Sequence, residues 1–319
     1  MSREIFAFCT HCSVALLGNR LDTITTIAAF GVPDADLVAL AHAQTPPVRV
    51  VLGAATTQFT NESVRTAWVQ QQVSQVKTLG IDGINLDIEG NSAHRDDLTS
   101  LVTSLRAALT AASPSYQLTF DLGVSPFGQA SGYDHLALSK QMNFTVPMAY
   151  DECWGTKQAA ANSPISRAEQ SIADYSKIGV PPSELVMGFP WYGWDFPCTE
   201  GMSGCAIEPP AGQPWYGYAT QVGYLDVLAL AGDAALKPTA PVLDNATMTK
   251  YFDIYKPTTA TGARMGTGIT GKAWATTGAP APERHQIWYD DAETLAAKYE
   301  MSARKGVRGV AMWTANFGD

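Results

Sequence analysis

The sequence predicts an α/β fold, a closed (β/α)8 TIM barrel with a long excursion between its seventh and eighth strands. Eight short apolar runs alternate with amphipathic stretches along the 319 residues, and no linker interrupts them. Such alternation is typical of βαβ units around a parallel sheet, and eight buried strands close a barrel. No GxGxxG or GxxxxGK[ST] loop follows an early strand, as it would in a doubly wound open sheet. We therefore predict a single domain over residues 1–319.

The eight strands are predicted from short runs of aliphatic, β-branched and aromatic residues. In chain order they are Glu4–Phe8, Thr23–Phe30, Val48–Gly53, Gly83–Glu89, Gln117–Leu122, Met142–Tyr150, Leu185–Pro190 and Gly309–Trp313.

Four stretches between these strands have spaced apolar positions separated by polar ones, which predicts amphipathic helices. They are Asp34–Ala43, Asn61–Thr78, Asp96–Ala111 and Ser166–Lys177. Several begin with Asn, Ser or Asp, which cap helix N-termini. A further helix, ending near Ala303, is predicted to begin at a capping box of Asp290 and Glu293.

About a hundred residues separate the seventh and eighth predicted strands. The stretch Trp191–Tyr224 is dense in Gly, Pro, Trp and Tyr and has no clear period, which indicates a long excursion rather than another βα repeat. Long loops at the carboxyl-terminal face of a barrel build active sites. The excursion is therefore a candidate wall of a binding pocket.

The charge balance limits the partners that we expect. The 30 acidic and 21 basic residues give a net charge of −9, which repels nucleic acid and anionic lipid and tolerates a neutral substrate. We expect no nucleic acid, no membrane partner, no cofactor and a monomer. The first residues show neither the basic region nor the long apolar stretch of a secretory signal. We therefore expect the chain either to be intracellular or to lack its leader.

Five cysteines fit neither a dense disulfide scaffold nor a paired count. Cys198 and Cys205 could close a small loop in an oxidising compartment, and the sequence leaves their redox state open. Cys9 and Cys12 have the spacing of a metal or redox half-site, but no second cysteine pair has zinc spacing. We therefore expect no metal site.

The strongest local signal is the stretch Asp82–Gly90, with the sequence DGINLDIEG. Alternate side chains of a strand point to opposite faces, which places Asn85, Asp87 and Glu89 together inside the barrel. An isolated Asp-x-Glu is usually a solvated strand edge, but polar groups inside an apolar barrel need bonding partners or a site. Glu89 comes last, at the end where barrel enzymes carry out their chemistry.

Two carboxyl groups this close together suit general acid–base catalysis. If Glu89 acts as a general acid it must hold a proton, and the like charge of Asp87 raises its pKa.

The stretch Asp82–Gly90 resembles the DGxDxDxE strand of glycoside hydrolase family 18, the chitinase family. Pro147–Asp151, Met187–Gly193 and Met312–Trp313 resemble the sixth, seventh and eighth strand motifs of that family, in the same order. The resemblance implies a barrel enzyme in which the substrate's N-acetyl carbonyl is the nucleophile. It implies a lysosomal or secreted location.

The resemblance also implies roles for particular residues. Glu89 would be the acid and then the base, Asp87 would orient the acetamido group and stabilise the oxazolinium, and Tyr150 would donate a hydrogen bond to the carbonyl. Trp313 would stack on the sugar at the cleavage site. Without the other motifs, the same residue would be interpreted as a side chain that fills the barrel interior. Further substrate-binding candidates are Asn85, Asp151, Trp191, Tyr192 and Trp194.

The details of the motifs are most similar to the chitobiase subgroup. Chitinases usually carry Asp where this chain has Asn85, so we expect no proton transfer from Asp87 to a deeper carboxylate and a hydrogen bond from Asn85 to Asp87. The subgroup implies exo cleavage of β-1,4-linked N-acetylglucosamine oligosaccharides at the reducing end, from chitin or from N-glycan cores. The alternatives are an endo-chitinase, an endo-β-N-acetylglucosaminidase and a non-catalytic lectin, which would typically lack Glu89.

Overall fold

A computed structural model of the chain describes residues 3–90, 92–127, 132–199, 204–208, 219–256 and 283–318. The strands are β1 (Glu4–Cys9), β2 (Thr26–Ala29), β3 (Arg49–Ala54), β4 (Gly83–Asp87), β5 (Gln117–Gly123), β6 (Phe144–Met148), β7 (Val186–Pro190), β8 (Tyr192–Pro197), β9 (Thr220–Gly223), β10 (Val242–Asp244), β11 (Thr249–Lys256), β12 (Glu283–Tyr289) and β13 (Gly309–Trp313). The α-helices are α1 (Val14–Leu17), α2 (Ala35–His42), α3 (Glu62–Leu79), α4 (Arg95–Ala112), α5 (His135–Ser139), α6 (Ile165–Lys177), α7 (Tyr224–Gly232) and α8 (Ala292–Arg304).

The predicted closed barrel is confirmed. Its strands follow the order β1-β13-β7-β6-β5-β4-β3-β2, and each corresponds to one of the eight predicted runs. Three predicted strands are longer than the observed ones at their carboxyl ends, the second by one residue and the fourth and sixth by two. β4 ends at Asp87 and β6 at Met148, so Glu89 and Tyr150 each lie two residues beyond a strand.

Large apolar side chains fill most of the barrel interior. They come from β1, β2, β3, β6, β7 and β13, and Phe30 and Trp313 pack against them in partly buried positions. The buried members are Phe6, Phe8, Ala28, Val51, Phe144, Val146, Val186 and Ala311. Burying a Val or Phe side chain contributes roughly 1.5–3 kcal/mol, so this interior is a main source of the barrel's stability.

The predicted helices are also present, and local capping explains their bounds. Asn61 accepts hydrogen bonds from the backbone N–H groups of Ser63 and Val64 and so begins α3, which ends at Gly80 in a left-handed conformation (φ 64°). The capping box predicted for α8 at Asp290 and Glu293 is wrong. Its place is taken one residue later by Asp291.

The reciprocal bonds that begin α8 join Asp291 and Thr294. Oδ1 of Asp291 accepts from the backbone N–H of Thr294, and the Thr294 hydroxyl accepts from the N–H of Asp291. Asp290 is instead buried and forms an ion pair with Lys298. The N-cap carboxylate must reach the backbone of its own first turn, and Asp291 has the position to do so.

The long stretch between β7 and β13 carries a second sheet that the sequence analysis did not predict. Five antiparallel strands follow the order β10-β11-β12-β8-β9. One face of this sheet is apolar and packs with α7 through Val227, Phe252, Ile254, Ile287 and Tyr289. The predicted excursion Trp191–Tyr224 contains β8 and β9, while its residues 200–203 and 209–218 lie outside the described part of the chain.

The chain divides into two compact units. The first comprises residues 1–149, 167–189 and 299–316 and contains the barrel strands apart from Pro190. The second comprises residues 150–166, 190–298 and 317–319 and contains the antiparallel sheet. No helix within the described residues is both long and apolar enough to cross a bilayer.

Four of the five cysteines are paired. Cys198 and Cys205 form a disulfide, which settles the redox state that the sequence left open. Cys9 and Cys12 form a second disulfide rather than half of a metal site. Cys153 is a buried free thiol. Disulfides of this kind persist in oxidising compartments.

A buried charge cluster at one end of the antiparallel sheet predicts a pH-dependent stability. Asp195 accepts hydrogen bonds from Nδ1 of His285 (2.6 Å) and from Lys256, and Glu283 lies 3.6 Å from Nε2 of His285. Burial alone lowers the pKa of His285, but the carboxylates of Asp195 and Glu283 together outweigh it and the pKa of His285 is raised.

A His whose folded pKa is raised adds stability below its unfolded pKa of about 6.5, and this stability is lost as the pH rises through the folded value. We therefore expect His285→Gln to lower the free energy of unfolding by about 2 kcal/mol at pH 5.5 and by clearly less at pH 9. Urea denaturation at both pH values measures this. The exposed His42–Asp82 pair provides a control, since His42→Gln should cost less than about 1 kcal/mol at either pH. An equal loss from His285→Gln at both pH values would contradict the prediction.

Candidate active site

Three predicted site residues lie at the carboxyl end of β4, on one face. The apolar residues that alternate with them, Ile84, Leu86 and Ile88, are buried. Asn85 has no exposed surface, Asp87 is partly buried and Glu89 is exposed. The polar series therefore runs from the barrel interior to the surface. The alternation of the sequence predicted all three side chains inside the barrel, but Glu89 is exposed because β4 ends at Asp87.

A glycine fixes the position of this strand against its neighbour. A Cβ atom on Gly83 would overlap the backbone carbonyl oxygen of Gln117, and the backbone of Gly83 has φ 152°. Only glycine allows this close approach. The resulting register pairs Asn85 with Thr119 and Asp87 with Asp121.

Paired residues of parallel strands point to the same face, so β5 adds two polar side chains to the interior. The Asn85 side chain donates from Nδ2 to Oδ2 of Asp121 (2.5 Å) and accepts at Oδ1 from the Thr119 hydroxyl (2.6 Å). The predicted hydrogen bond from Asn85 to Asp87 is not the one formed. The amide of Asn85 is turned to β5 because its two partners there match its donor and its acceptor.

Asp121 was not predicted as a site residue. It is 3% exposed, and it provides the deeper carboxylate that we expected this chain to lack. The signal for it was present in Gln117–Gly123, where polar residues at 117, 119 and 121 alternate with Leu118, Phe120 and Leu122 as on β4.

Burial and charge both act on the carboxyl groups. The pKa of Asp87 is raised by burial. The pKa of Glu89 is raised by the desolvation that surrounding protein atoms impose on its carboxyl and by the negative charge of Asp87. Glu89 is thus an exposed carboxyl group that keeps its proton to a higher pH than a free Glu does. A group of this kind can serve as a general acid.

Trp313 lies at the end of β13 in the same unit. Its ring meets the edges of Phe8 and Phe30, with centroids 5.3 and 5.2 Å apart, and part of the ring stays exposed. Phe8 and Phe30 hold the indole against the barrel interior. A fixed, partly exposed indole is suited to stack on an apolar ligand face.

The second unit brings together four of the predicted residues. Oδ1 of Asp151 accepts hydrogen bonds from the Tyr192 hydroxyl (2.6 Å) and from Nε1 of Trp194 (3.1 Å). The ring of Tyr150 meets the edge of the Tyr192 ring at 6.1 Å. Tyr192 and Trp194 are buried, whereas Tyr150 and Asp151 are partly exposed. Burial, followed by the Asp151 charge, raises the pKa of Tyr192, so its hydroxyl remains a donor.

A residue that the sequence analysis missed supports this group. Asn162 has no exposed surface, accepts from the backbone N–H of Asp151 (2.8 Å) and donates to the carbonyl of Tyr192 (3.2 Å). These bonds hold Asp151 in its left-handed conformation (φ 60°). A single Asn in a loop gives no sequence signal for such a role.

Trp191 is partly exposed in the same unit, and only a glycine fits beside its indole at position 318.

Across the described ranges, no three His, Cys, Asp or Glu side chains form a group that could hold a metal ion.

Comparison with known proteins adds a family and several relatives. The family described as Glycosyl hydrolases family 18 matches residues 37–318. The di-N-acetylchitobiase of Rattus norvegicus is 30% identical over 306 residues, covering 92% of this chain and 76% of that protein.

Solved structures share the fold at lower identity. The C-terminal domain of a putative chitinase from Desulfitobacterium hafniense DCB-2 has a TM-score of 0.76 and 18% identity, covering 100% of this chain and 95% of that one. A mutant of the class V chitinase from Nicotiana tobaccum, solved in complex with NAG4, has a TM-score of 0.74 and 16% identity, covering 100% of this chain and 95% of that one.

Proposed function

Since the chain belongs to glycosyl hydrolase family 18, it is a glycoside hydrolase, and we propose that it cleaves β-1,4-linked N-acetylglucosamine oligosaccharides. We propose a single catalytic domain over residues 1–319 that acts with retention of anomeric configuration and with the substrate's own acetamido group as nucleophile. The observation that carries the proposal is the carboxyl pair at the end of β4, where Glu89 is exposed with a raised pKa and Asp87 is its i−2 neighbour.

In the proposed reaction the first step breaks the glycosidic bond. Protonated Glu89 gives its proton to the glycosidic oxygen while the acetamido carbonyl oxygen attacks the anomeric carbon, and the leaving sugar departs as an alcohol. The product of this step is a cyclic oxazolinium ion. Asp87, the last residue of β4 and the i−2 neighbour of Glu89, accepts a hydrogen bond from the acetamido N–H and stabilises the positive charge.

The second step restores the acetamido group. The Glu89 carboxylate takes a proton from water as its oxygen attacks the anomeric carbon, and the bond from that carbon to the acetamido oxygen breaks. Glu89 is thereby protonated again, and the sugar keeps its original anomeric configuration. For Tyr150 we propose a hydrogen bond to the acetamido oxygen, and for Trp313 stacking on the sugar ring.

The remaining predicted residues receive lesser roles in the proposal. Asp151 and Tyr192 are assigned to sugar hydroxyl or acetamido contacts, and Trp191 and Trp194 to the wall of the site. Trp194 is almost fully buried and donates to Asp151, so we assign its effect to holding that carboxylate. Asn85 is wholly buried, so we propose that it affects the substrate indirectly, through its hydrogen-bond partners on β5.

The proposed mode of cleavage is exo, at the reducing end of the oligosaccharide. It is supported by the similarity to a di-N-acetylchitobiase, which extends over 92% of this chain. The presence of Glu89 favours an enzyme over a lectin that has lost its acid. An endo-acting enzyme is the competing outcome in the experiment below.

The test uses a trimer of β-1,4-linked N-acetylglucosamine that carries ¹³C at its reducing-end anomeric carbon. Exo cleavage at that end releases the label as monosaccharide, which mass spectrometry of early products detects. Label found mainly in dimer would contradict exo cleavage at the reducing end. Glu89→Gln is the inactive control. If the wild-type protein also released no product, the proposal that N-acetylglucosamine oligosaccharides are its substrates would be wrong.

A second arm of the experiment tests the internal nucleophile. Aryl chitobiosides in which the acetamido methyl group carries increasing numbers of fluorine atoms have a progressively weaker carbonyl nucleophile. We expect kcat to fall stepwise along this series. A kcat independent of fluorine would contradict the substrate-assisted mechanism and would point to a nucleophile from the enzyme.

A further inference from the structure

Two carboxyl groups, one buried and one partly buried, occupy paired positions on neighbouring barrel strands. Asp87 on β4 and Asp121 on β5 are register partners, so their side chains point to the same interior face. Oδ1 of each is buried and has no hydrogen-bond partner in the part of the chain that the structure describes. Neither carboxyl group forms an ion pair with any described residue. A buried pair of like charges is unfavourable, and such pairs hold one proton between them.

The hydrogen bonds around Asp121 show which of its oxygens is free to hold that proton. The Thr119 hydroxyl donates to Oδ1 of Asn85, and this leaves Nδ2 of Asn85 to donate to Oδ2 of Asp121. Oδ2 is therefore an acceptor. A proton on Asp121 must then lie on Oδ1, the atom that has no other partner.

We propose that Asp121 is a positioning residue that stays protonated on Oδ1 and donates a hydrogen bond to Oδ1 of Asp87. The chain of donors runs from Thr119 through Asn85 and Asp121 to Asp87. Asn85 stands where chitinases usually carry Asp, so in this chain the neighbouring strand supplies the acid that the β4 motif lacks.

Burial determines which member of the pair keeps the proton. Asp121 is almost wholly buried and Asp87 only partly. Burial raises the pKa of Asp121 well above its ordinary value, and the charges of Asp87 and Glu89 raise it further against the opposing bond from Asn85. On the other side of β5 the residue paired with Asp121 is Val146, which carries no charge. The pKa of Asp87 is raised by burial alone.

The consequence for catalysis rests on the proposed function. A hydrogen bond from Asp121 engages the inner oxygen of Asp87 and favours its ionised form. The outer oxygen is then oriented and free to accept the acetamido N–H. Asp121 does not contact substrate, and its proton stays in place through the reaction.

Infrared difference spectroscopy at neutral pH tests the protonation directly. Asp121→Asn keeps the shape of the side chain, can accept from Asn85 and can donate to Asp87. We expect this substitution to remove the carbonyl stretch of a neutral carboxylic acid from the spectrum. Asp174→Asn is the matched control, because Asp174 is buried among donors that lower its pKa and should lose carboxylate bands only. Loss of carboxylate bands only from Asp121→Asn would overturn the proposal.

The pH profile of kcat tests the positioning role. Asp121→Ala removes the donor, so the pKa of Asp87 should rise and the acid limb should move up by about one pH unit, with kcat about tenfold lower. Asp121→Asn should keep the acid limb in place and kcat within about threefold. If Asp121 were ionised, both substitutions would remove a negative charge and move the acid limb down, which would overturn the proposal.

The two proposals fail in different ways. The infrared bands require no turnover, so they decide the protonation of Asp121 even if the wild-type protein cleaves no N-acetylglucosamine oligosaccharide. Conversely, an ionised Asp121 would leave the acid role of Glu89 and the labelled-trimer result unaffected.

Discussion

Glu89→Gln is expected to lower kcat for the N-acetylglucosamine trimer about 10³-fold, while KM changes less than about threefold. The amide cannot donate the proton that the departing sugar needs, and it cannot take one from water in the second step. Glu89 is exposed beyond the end of β4, so the substitution leaves the barrel packing intact. Chromatography of early products gives the rates, and calorimetric titration with the trimer checks that binding persists.

Two controls separate loss of the acid from a general loss of activity. An aryl glycoside with an acidic phenol needs less protonation of its leaving oxygen, so Glu89→Gln should slow it much less than it slows the trimer. Glu62→Gln, at an exposed position in the first turn of α3, should leave both rates unchanged. Unchanged turnover of the trimer by Glu89→Gln would show that another residue is the acid.

The barrel could be predicted from the sequence because its strands are buried on both faces. Such strands appear as continuous apolar runs, and all eight were identified. The strands of the antiparallel sheet are short or contain polar residues among the apolar ones, as Asp195 in β8 shows. In β11 just Phe252 and Ile254 enter the core, and β10 has three residues. These strands give alternating or very short signals, which a search for continuous runs does not detect.

The candidate site was predictable only where one strand carries it. Asn85, Asp87 and Glu89 follow from alternation within β4. The alternation in β5 indicates that Asp121 points inward, but its pairing with Asp87 depends on the register of β4 with β5, which the close approach at Gly83 sets. Asn162 depends on a loop that reaches the backbone of Tyr192. Contacts between distant segments are therefore the part that sequence reasoning missed.

The cap of α8 was assigned to the wrong residue because it too depends on contacts between distant segments. The residue concerned, Asp290, also has a large expected effect on the free energy of unfolding. Asp290 and Asp291 are adjacent, and local rules do not distinguish which one caps the helix. The structure gives the cap to Asp291 and buries Asp290, 3% exposed, beside the fully buried ammonium group of Lys298. The Thr249 hydroxyl is the other acceptor of Lys298, at 3.5 Å.

Lys298→Met is expected to lower the free energy of unfolding by about 3–5 kcal/mol at pH 7. The methionine fills similar space but leaves Asp290 as a buried charge without a cation. Burial already raises the pKa of Asp290 against the effect of Lys298, and removal of the lysine raises it further. A carboxyl whose folded pKa is raised destabilises the protein at pH values above its unfolded pKa of about 3.9, so the loss should shrink as the pH falls toward 4. Urea denaturation at both pH values measures it.

The double variant Lys298→Met/Asp290→Asn distinguishes charge from packing. It contains the same methionine but no buried charge, so it should recover most of the stability lost by Lys298→Met at pH 7. Lys305→Met, which breaks the exposed pair with Glu169, should cost less than about 1 kcal/mol. If the double variant were as unstable as Lys298→Met, the lysine stem and not its charge would hold α8 to the antiparallel sheet. A recovery would show that the pair is needed because each buried charge requires the other.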